Sequence, residues 1–237
     1  MKPITVNRRL QGLAIDLNGV MIDWRPAPEH SAVAQRLGEP EANYLQACQE
    51  YDAAPAHPFE VGLSCGERMR GILVKLGRND LLDKVDDLVD LELDELIARS
   101  YLLPGVLETL EKLRADGRRL VICSNASPYG VSVAREHGLI DAVDGVTFSC
   151  HVHVRKPEPG IYERSVALLG QHPENCALVD DGNDDALAGA KRFNRAMTTI
   201  RVDHPAQPPE SKTGLNCGDH RIPGLNMLPE LLEFLSE

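Results

Sequence analysis

The chain of 237 residues is 43% hydrophobic and 26% charged, which is ordinary for a globular protein with a sizeable core. Its 36 acidic side chains outnumber 25 basic ones and give a net charge of −11, which argues against nucleic acid and anionic membranes as partners. An acidic enzyme that handles anions must therefore gather positive charge locally, from a metal ion or from a few lysines and arginines.

The N-terminal residues and the cysteines predict a cytoplasmic protein with reduced thiols. Residues 1–11 carry charges and lack the apolar run of a signal peptide, and no apolar run reaches membrane-spanning length. Six cysteines are scattered through the chain without a CxxC spacing. Cys150, His151 and His153 could suggest zinc, but three potential ligands without a fourth nearby make a strand end with polar side chains the favoured interpretation.

The chain is organised around its first strand, predicted at residues 13–15. This short apolar run fits a parallel sheet that is covered on both faces, and Asn18-Gly19 then breaks it. Asp16 follows directly, at the carboxyl end of the strand, where open α/β sheets bind their ligands. A carboxylate placed there needs a metal, a cluster of donors or a substrate to compensate its charge.

Residues 29–101 are predicted to be helical throughout, with no strand. Apolar side chains recur at helical spacing in four segments, at residues 31–37, 41–51, 67–76 and 81–100, and residues 55–58 form a loop between them. Such a block is long enough for a small bundle of helices. Arg68, Arg70 and His57 could meet a polar substrate, although a solvated helix face is the expected role of each.

From Pro104 onward the pattern alternates between strands and helices, which indicates βαβ units and a parallel sheet. Strands are predicted at 120–123, 146–148, 177–179 and 197–202, and helices at 104–117, 128–138, 159–169, 184–193 and 225–235, with a surface loop at 204–219. We therefore predict an α/β core of residues 1–20 and 102–237, with residues 21–101 inserted as a helical cap. A dinucleotide-binding fold is disfavoured because no GxGxxG follows the first strand.

Polar side chains follow the successive strands of this core, and in a parallel sheet all these strand ends meet at one edge. They are Asp16 and Asn18, Ser124 and Asn125, Arg155 and Lys156, and Asp180, Asp181 and Asp185. Carboxylates for a hard cation, an ammonium group, a hydroxyl and turn amides are what a phosphoryl group needs around it. Each residue alone is weak evidence, but their recurrence at consecutive strand ends predicts a site.

In these motifs the chain resembles the haloacid dehalogenase superfamily. The matching segments are residues 16–20 (DLNGV), 121–125 (VICSN), 156–157 (KP) and 179–185 (VDDGNDD). Residues 103–106 (LPGV) and 156–162 (KPEPGIY) are similar to the subgroup with a helical cap inserted after the first strand. The resemblance covers essentially the whole chain and implies a Rossmann-like parallel sheet flanked by helices.

The resemblance also implies roles for individual residues. Asp16 would be the nucleophile that forms an aspartyl-phosphate, Ser124 and Asn125 would bind substrate, and Lys156 would stabilise the anionic nucleophile and the intermediate. Mg²⁺ would be bound by Asp16, by the backbone carbonyl of Asn18 and by Asp181. Asp180 or Asp185 would contribute through the second shell or a water. The expected substrate is a small phosphorylated metabolite.

Asn18 departs from the family pattern, because phosphatases of this kind have a second aspartate there. That aspartate protonates the leaving oxygen and then activates water, and its loss typically costs about 10²–10⁴ in rate. Three interpretations stay open: a slow phosphatase that needs a good leaving group, a protein that binds a phosphorylated ligand or partner without turnover, or a substitution engineered for trapping. A 2-haloacid dehalogenase is a fourth and weaker one, since a halide needs no acid but the aspartates fit a divalent cation.

Overall fold

A computed structural model of the chain describes residues 10–26, 31–52, 57–203 and 217–236. Eight strands and ten α-helices lie within these ranges. The predicted loop at 204–219 falls mostly outside the described residues, as does part of the predicted loop at 55–58. Within the described ranges, no helix combines the length and the apolar character needed to cross a membrane.

Six parallel strands form the central sheet, in the spatial order β5-β4-β1-β6-β7-β8. Their bounds are β1 Gly12–Ile15, β4 Arg119–Ser124, β5 Gly145–Phe148, β6 Cys176–Asp180, β7 Thr198–Val202 and β8 His220–Ile222. The first strand therefore lies between β4 and β6, near the middle of the sheet. The predicted α/β fold with a Rossmann-like parallel sheet flanked by helices is confirmed.

Both faces of the sheet are buried, as the uninterrupted apolar strands predicted. Leu13 and Ile15 pack into one cluster of buried side chains, whereas Ala14 between them packs into another on the opposite face. The helices that follow the strands are α5 Val106–Ala115, α6 Pro128–Glu136, α7 Ser149–Val152, α8 Pro159–Leu169, α9 Ala186–Phe193 and α10 Leu228–Phe234. The buried layers hold the carboxyl ends of the strands in fixed positions.

Helices fill the described part of the segment between residues 31 and 99. They are α1 Ala32–Leu37, α2 Glu41–Asp52, α3 Cys65–Lys75 and α4 Val85–Arg99, with short 3₁₀ turns at Pro58–Glu60 and Asn79–Lys84. Ser64 begins α3 with a capping box, in which its hydroxyl accepts from Glu67 N–H and the Glu67 carboxylate accepts from Ser64 N–H. The division into a core and a cap at residues 21–101 stays a prediction.

A two-stranded antiparallel ribbon joins this helical segment to the sheet, and the sequence analysis did not predict it. Strand β2, Ile22–Trp24, pairs with β3, Ser100–Leu102. The expectation that residues 29–101 contain no strand is therefore wrong at its end. Three-residue strands show too little alternation to be detected, and β8 was missed for the same reason.

Two further expectations about local structure are corrected. The residues after Phe148 form the short helix α7, which ends at His153 with a left-handed backbone, rather than a polar strand end. Helix α9 begins at Ala186 and not at Asp184, because Asp184 and Asp185 both have left-handed backbones, with φ of 52° and 55°. Aspartate tolerates this conformation better than most residues, so the two carboxylates belong to a turn at the sheet edge.

Candidate active site

Three neighbouring strands bring the predicted site residues together. Asp16 follows β1, Ser124 ends β4, and Asp180 ends β6. The register aligns Ile15 with Ile122 on one side and with Val179 on the other, and Asp16 N–H donates to the carbonyl of Val179. Because the strands are parallel, these side chains emerge at one edge, as the sequence predicted.

Lys156 lies between two aspartates of this edge. Its ammonium nitrogen is 2.8 Å from Oδ1 of Asp16 and 2.6 Å from Oδ2 of Asp180. The exposed fractions of Asp16, Lys156 and Asp180 are 7%, 3% and 0%. We call these three residues the Lys156 cluster. At such depth a charge is tolerated only when an opposite charge lies against it, so the three side chains hold one another in place.

Burial and charge act in opposite directions on the pKa values of this cluster. Burial alone would lower the pKa of Lys156, but the attraction of Asp16 and Asp180 outweighs it and holds this pKa well above its ordinary value. Burial raises the pKa of Asp180, and Lys156 opposes that rise only in part. Lys156 therefore remains an ammonium ion near neutral pH, while ionised Asp180 is costly without further positive charge.

Asp181 adds a third carboxylate at this edge. One oxygen each from Asp16, Asp180 and Asp181 can be chosen so that all lie within 4.8 Å of one another. Asn183 orients Asp181 by donating from its backbone and its side-chain amide, at 2.9 and 2.6 Å. Three convergent carboxylates beside a single lysine leave surplus negative charge, and hard oxygen ligands of this kind fit Mg²⁺.

Asp185 does not join this group, and its predicted contribution to the metal site, through the second shell or a water, stays a prediction. Its left-handed backbone begins α9 with an exposed side chain, whereas Asp184 lines the cavity at the site. The aspartate triplet at the sheet edge is Asp16, Asp180 and Asp181. The turn at Gly182, which has a left-handed backbone, separates Asp181 from Asp185.

Asn125 fixes the backbone of Lys156. Its side-chain carbonyl accepts from Lys156 N–H at 2.7 Å, and its amide donates to the Lys156 carbonyl at 3.0 Å. Helix α9 supports the same turn from behind at Gly189, where a Cβ atom would lie 2.9 Å from the carbonyl oxygen of Pro157. Asn125 therefore positions Lys156, a role beyond the predicted substrate binding.

Ser124 places a hydroxyl beside the cluster. It is 1% exposed, and its Oγ has no hydrogen-bond partner among the residues that the structure describes. A buried hydroxyl without a partner costs free energy, and such groups are typical of sites that bind a ligand. The predicted role of Ser124 in binding a phosphoryl oxygen stays a prediction.

Asn18 lies in a tight turn between β1 and β2. Gly19 takes a left-handed backbone with φ of 73°, and its N–H donates to the Ile22 carbonyl. The indole N–H of Trp24 donates to Oδ1 of Asn18 at 3.3 Å. An aspartate at position 18 would accept the same hydrogen bond, so the turn does not require an amide.

Most of these side chains line a cavity of about 280 Å³, which we call the reaction cavity, but Ser124 and Asp180 are not among its lining residues. Its lining residues are Asp16, Asn18, Gly19, Asp23, Glu60, Asn125, Lys156, Asp181, Asn183 and Asp184. The sequence missed Asp23, Glu60, Asn183 and Asp184 as lining residues. Asn183 and Asp184 stand inside a recognised motif and could have been proposed, whereas nothing in the local sequence marks Glu60.

Comparison with known proteins agrees with this geometry. A family profile described as a haloacid dehalogenase-like hydrolase matches residues 10–191. The chain belongs to the haloacid dehalogenase-like hydrolases. The predicted resemblance is confirmed, and the protein is a hydrolase by family.

Named relatives of this hydrolase include both dehalogenases and phosphatases. It is 32% identical to a (S)-2-haloacid dehalogenase of Burkholderia cepacia over 108 residues, which is 45% of this chain and 46% of that protein. It is 26% identical to a phosphoglycolate phosphatase of Nitrosospira multiformis over 185 residues, 76% of this chain and 78% of the relative. A crystal structure of a 2-haloacid dehalogenase from Pseudomonas syringae superposes with a TM-score of 0.71, at 21% identity, and covers 95% of this chain and 99% of that one.

A second cavity of about 300 Å³, the side cavity, shares Asn18, Glu60 and Asn125 with the reaction cavity of this hydrolase. Its other lining residues are Trp24, Asp52, Phe59, Arg68, Glu92, Leu96, Ala126, Ser127, Tyr129 and Gly130. Both the inserted helices and the sheet side of the molecule contribute to this wall. Because the two cavities share three lining residues, they adjoin one another.

Arg68 is buried in this wall, which corrects the expectation of a solvated helix face. It is 4% exposed, and its guanidinium contacts Asp52 and Glu92. The hydroxyls of Tyr44 and Tyr129 also donate to Glu92, at 3.1 and 2.8 Å. We call Arg68, Asp52 and Glu92 the Arg68 cluster. Arg70, two residues later, is exposed as predicted.

Proposed function

We propose that this hydrolase is a Mg²⁺-dependent phosphohydrolase that acts on a small phosphorylated metabolite through an aspartyl-phosphate at Asp16. One observation carries the proposal. The Asp16 carboxylate lies in contact with a buried lysine and within reach of two further carboxylates, at the edge of a parallel sheet. Haloacid chemistry requires the nucleophile but gives no reason to collect surplus carboxylates, whereas phosphoryl transfer with a divalent cation does.

The chain's own residues divide the chemistry between them. Asp16 attacks phosphorus, and the bond to the leaving oxygen breaks, so that the phosphoryl group becomes attached to the Asp16 carboxylate. Lys156, in contact with Asp16, and the buried Ser124 hydroxyl would stabilise charge on the phosphoryl oxygens. Mg²⁺ bound by Asp16, Asp181 and the carbonyl of Asn18 would supply the additional positive charge that this transfer needs. Water then attacks phosphorus, and the bond between phosphorus and the Asp16 carboxylate oxygen breaks. Inorganic phosphate leaves, the proton of the water passes to solvent, and the Asp16 carboxylate is restored.

Asn18 changes the demand on the leaving group. An amide cannot donate a proton to the departing oxygen or remove one from the attacking water. The leaving oxygen therefore departs with its full negative charge, and the rate depends steeply on its basicity. We expect aryl and acyl phosphates to be hydrolysed measurably, and alkyl phosphates to be nearly inert.

The test is Asn18→Asp, assayed with matched aryl and alkyl phosphates in Mg²⁺. The new carboxylate accepts the Trp24 hydrogen bond as the amide does, so the turn should persist. We expect alkyl esters to gain on the order of 10²-fold or more and aryl esters much less, because only the alkyl oxygen needs the proton. The native chain should also accumulate phospho-Asp16, seen as an added phosphoryl mass.

The control is the double variant Asp16→Asn/Asn18→Asp, which should lose both the activity and the added mass. Equal turnover of aryl and alkyl esters by the native chain would show that another residue supplies the proton. Asp23, which lines the same cavity, would then be the first residue to examine. If neither ester is turned over by either chain, the phosphohydrolase proposal fails.

A second candidate, 2-haloacid dehalogenation, is supported by the 32% identical dehalogenase relative, although the match covers about half of each chain. Here Asp16 would attack carbon and release a halide, which needs no proton, so Asn18 would be no handicap. The measurement is chloride release from 2-chloropropionate with and without Mg²⁺. Release that does not depend on Mg²⁺, without hydrolysis of any phosphate ester, would favour this candidate. A site that binds phosphate analogues without any turnover would instead indicate a binding protein.

A further inference from the structure

The side cavity is the space into which the leaving group of a substrate would extend. It meets the reaction cavity at Asn18, Glu60 and Asn125, so a molecule whose reacting atom lies at Asp16 has its remaining atoms directed there. The composition of this wall therefore decides which chemical groups the leaving group can carry. Three properties of the wall bear on the charge and polarity of the leaving group.

The first property is that its only lining cation among the described residues, Arg68, is already engaged. Nε and Nη2 donate to the two carboxylate oxygens of Asp52, at 2.7 and 2.8 Å, and Nη1 donates to both oxygens of Glu92 at 2.9 Å. Such a fork-to-fork pair is among the stronger side-chain contacts. A carboxylate on a ligand would have to displace Asp52 or Glu92 before Arg68 could receive it.

The second property is the surplus of negative charge. Asp52, Glu60 and Glu92 line the side cavity against the single guanidinium. Glu60 is paired outward with Arg155, and Arg155 is shared with Asp184. A second anionic group on the substrate would thus meet like charges, whereas hydroxyl groups would meet hydrogen-bond acceptors.

The third property is an apolar surface beside those acceptors. Trp24, Phe59 and Tyr129 contribute aromatic side chains to the wall, and the ring of Phe59 lies edge-on to that of Tyr129 at 5.5 Å. The Arg68 guanidinium stacks over Phe59, 4.8 Å from the ring centre, and is held there. Aromatic faces next to carboxylate acceptors suit a carbon skeleton that carries hydroxyl groups.

We infer that this hydrolase accepts a leaving group that carries hydroxyl groups and no charged group, and that the side cavity rejects substrates with a second anionic group. The inference rests on the proposed phosphohydrolase function and names its substrate class. The same rejection applies to a 2-haloacid, whose carboxylate would find no available cation in this wall. Asp52 and Glu92 are the specificity-determining residues.

The test compares two phosphate esters that differ only at the far end, 2-hydroxyethyl phosphate and phosphoglycolate. Calorimetric affinities in Mg²⁺ need no turnover, so the inert character of alkyl esters does not interfere. We expect the hydroxyl ester to bind on the order of tenfold more tightly than phosphoglycolate. One like-charge contact at ~6 Å in a partly solvated cleft weakens the binding of phosphoglycolate by about that factor. The ratio should shrink as salt is added.

Asp52→Asn should lower this ratio severalfold, because it removes one negative charge and frees part of the Arg68 fork. Asp90→Asn, which makes the same charge change on the exposed face of α4 and lines neither cavity, should leave the ratio unchanged. Equal or tighter binding of phosphoglycolate by the native chain would overturn the inference alone. Absence of binding of both esters and of inorganic phosphate would overturn the proposed function together with it.

Discussion

The Lys156 cluster and the Arg68 cluster contain the same kinds of side chain but differ in how their charges are compensated. Each buries one cation between two carboxylates, and in each the cation is less than 5% exposed. Around Arg68, the five-donor fork and two tyrosine hydroxyls provide donors for both carboxylates. Around Lys156, a third carboxylate, Asp181, adds charge that the single ammonium cannot balance.

The difference shows how a structural ion cluster can be told from a reactive one. The Arg68 cluster supplies hydrogen-bond donors to both of its carboxylates from its own side chain and from two tyrosine hydroxyls. The Lys156 cluster has a third carboxylate, Asp181, within reach, and a Ser124 hydroxyl without a hydrogen-bond partner among the described residues lies at the same sheet edge. Excess negative charge beside a buried hydroxyl without a hydrogen-bond partner is typical of a ligand-binding site.

Removing Lys156 should produce the largest effect. Lys156→Met should lower kcat/KM for aryl phosphates by at least about 10³, because it removes the positive charge nearest the nucleophile. It should also abolish the binding of a fluoroberyllate or vanadate analogue. Stability should fall by about 3–5 kcal/mol at pH 8, since two buried carboxylates lose their counterion.

Adding Asp180→Asn to Lys156→Met should restore much of that stability and none of the activity. The amide oxygen still accepts from Gly182 N–H, which now donates to Asp180 Oδ1 at 2.7 Å, while one buried charge is gone. The measurement is chemical unfolding of the two chains in parallel. Analogue binding retained by Lys156→Met would contradict the role given to this residue.

Removing Arg68 should lower the free energy of unfolding without abolishing hydrolysis. Arg68→Met leaves Glu92 buried with only two tyrosine hydroxyls, and we expect a loss of about 3–5 kcal/mol by chemical unfolding. Hydrolysis of a compact aryl phosphate, corrected for the folded fraction, should remain within about tenfold of the native rate. A loss as deep as that of Lys156→Met would erase the distinction between the two clusters.

The sequence predicted the reactive cluster and not the structural one, for a physical reason. Asp16, Lys156 and Asp180 each follow a recognisable apolar strand, and parallel strands must end at a common edge. Arg68 instead meets Asp52 and Glu92 across 16 and 24 residues and three different helices. No local pattern encodes which faces of separate helices will meet, so its burial could not be predicted. The left-handed turn that separates Asp184 from α9 could not be predicted from the sequence either, because it depends on tertiary contacts.

Mg²⁺ should stabilise the chain through the Lys156 cluster by about 1–3 kcal/mol at saturating concentrations. Burial raises the pKa of Asp180, so the folded chain holds its proton to higher pH than the unfolded chain does. Without metal, stability should therefore fall as pH rises from about 4 towards neutrality, because Asp180 ionises in the unfolded chain while it stays protonated in the folded one. Mg²⁺ should reduce that fall, which thermal unfolding between pH 5 and 8 will measure.

Asp181→Ala should remove most of the Mg²⁺-dependent gain. Asp185→Ala is the matched control from the same motif, because Asp185 lies outside the aspartate triplet, and it should keep most of the gain. An unchanged melting curve in millimolar Mg²⁺ would count against the metal site as described.

The smallest effect is expected at the ion pair that lies between the two clusters. Arg155 donates to Glu60 and to Asp184, both at 2.9 Å, and the Glu60 side chain is 32% exposed. Glu60→Gln should change stability by only about 0.2–1 kcal/mol and less in high salt. A larger loss in chemical unfolding would mean that the two clusters are energetically linked and cannot be compared as separate units.

The ribbon of β2 and β3 has a consequence for the connectivity of the chain. The inserted helices leave at Trp24 and return at Ser100, which are paired in register, so the two ends lie one strand spacing apart, about 4.8 Å. Closing the chain at this point costs almost the same whatever length is inserted, because closure entropy grows only with the logarithm of loop length. The sheet with its reactive edge can therefore carry helical insertions of different size and sequence at this junction. Selectivity and chemistry are in this way separable along a single polypeptide.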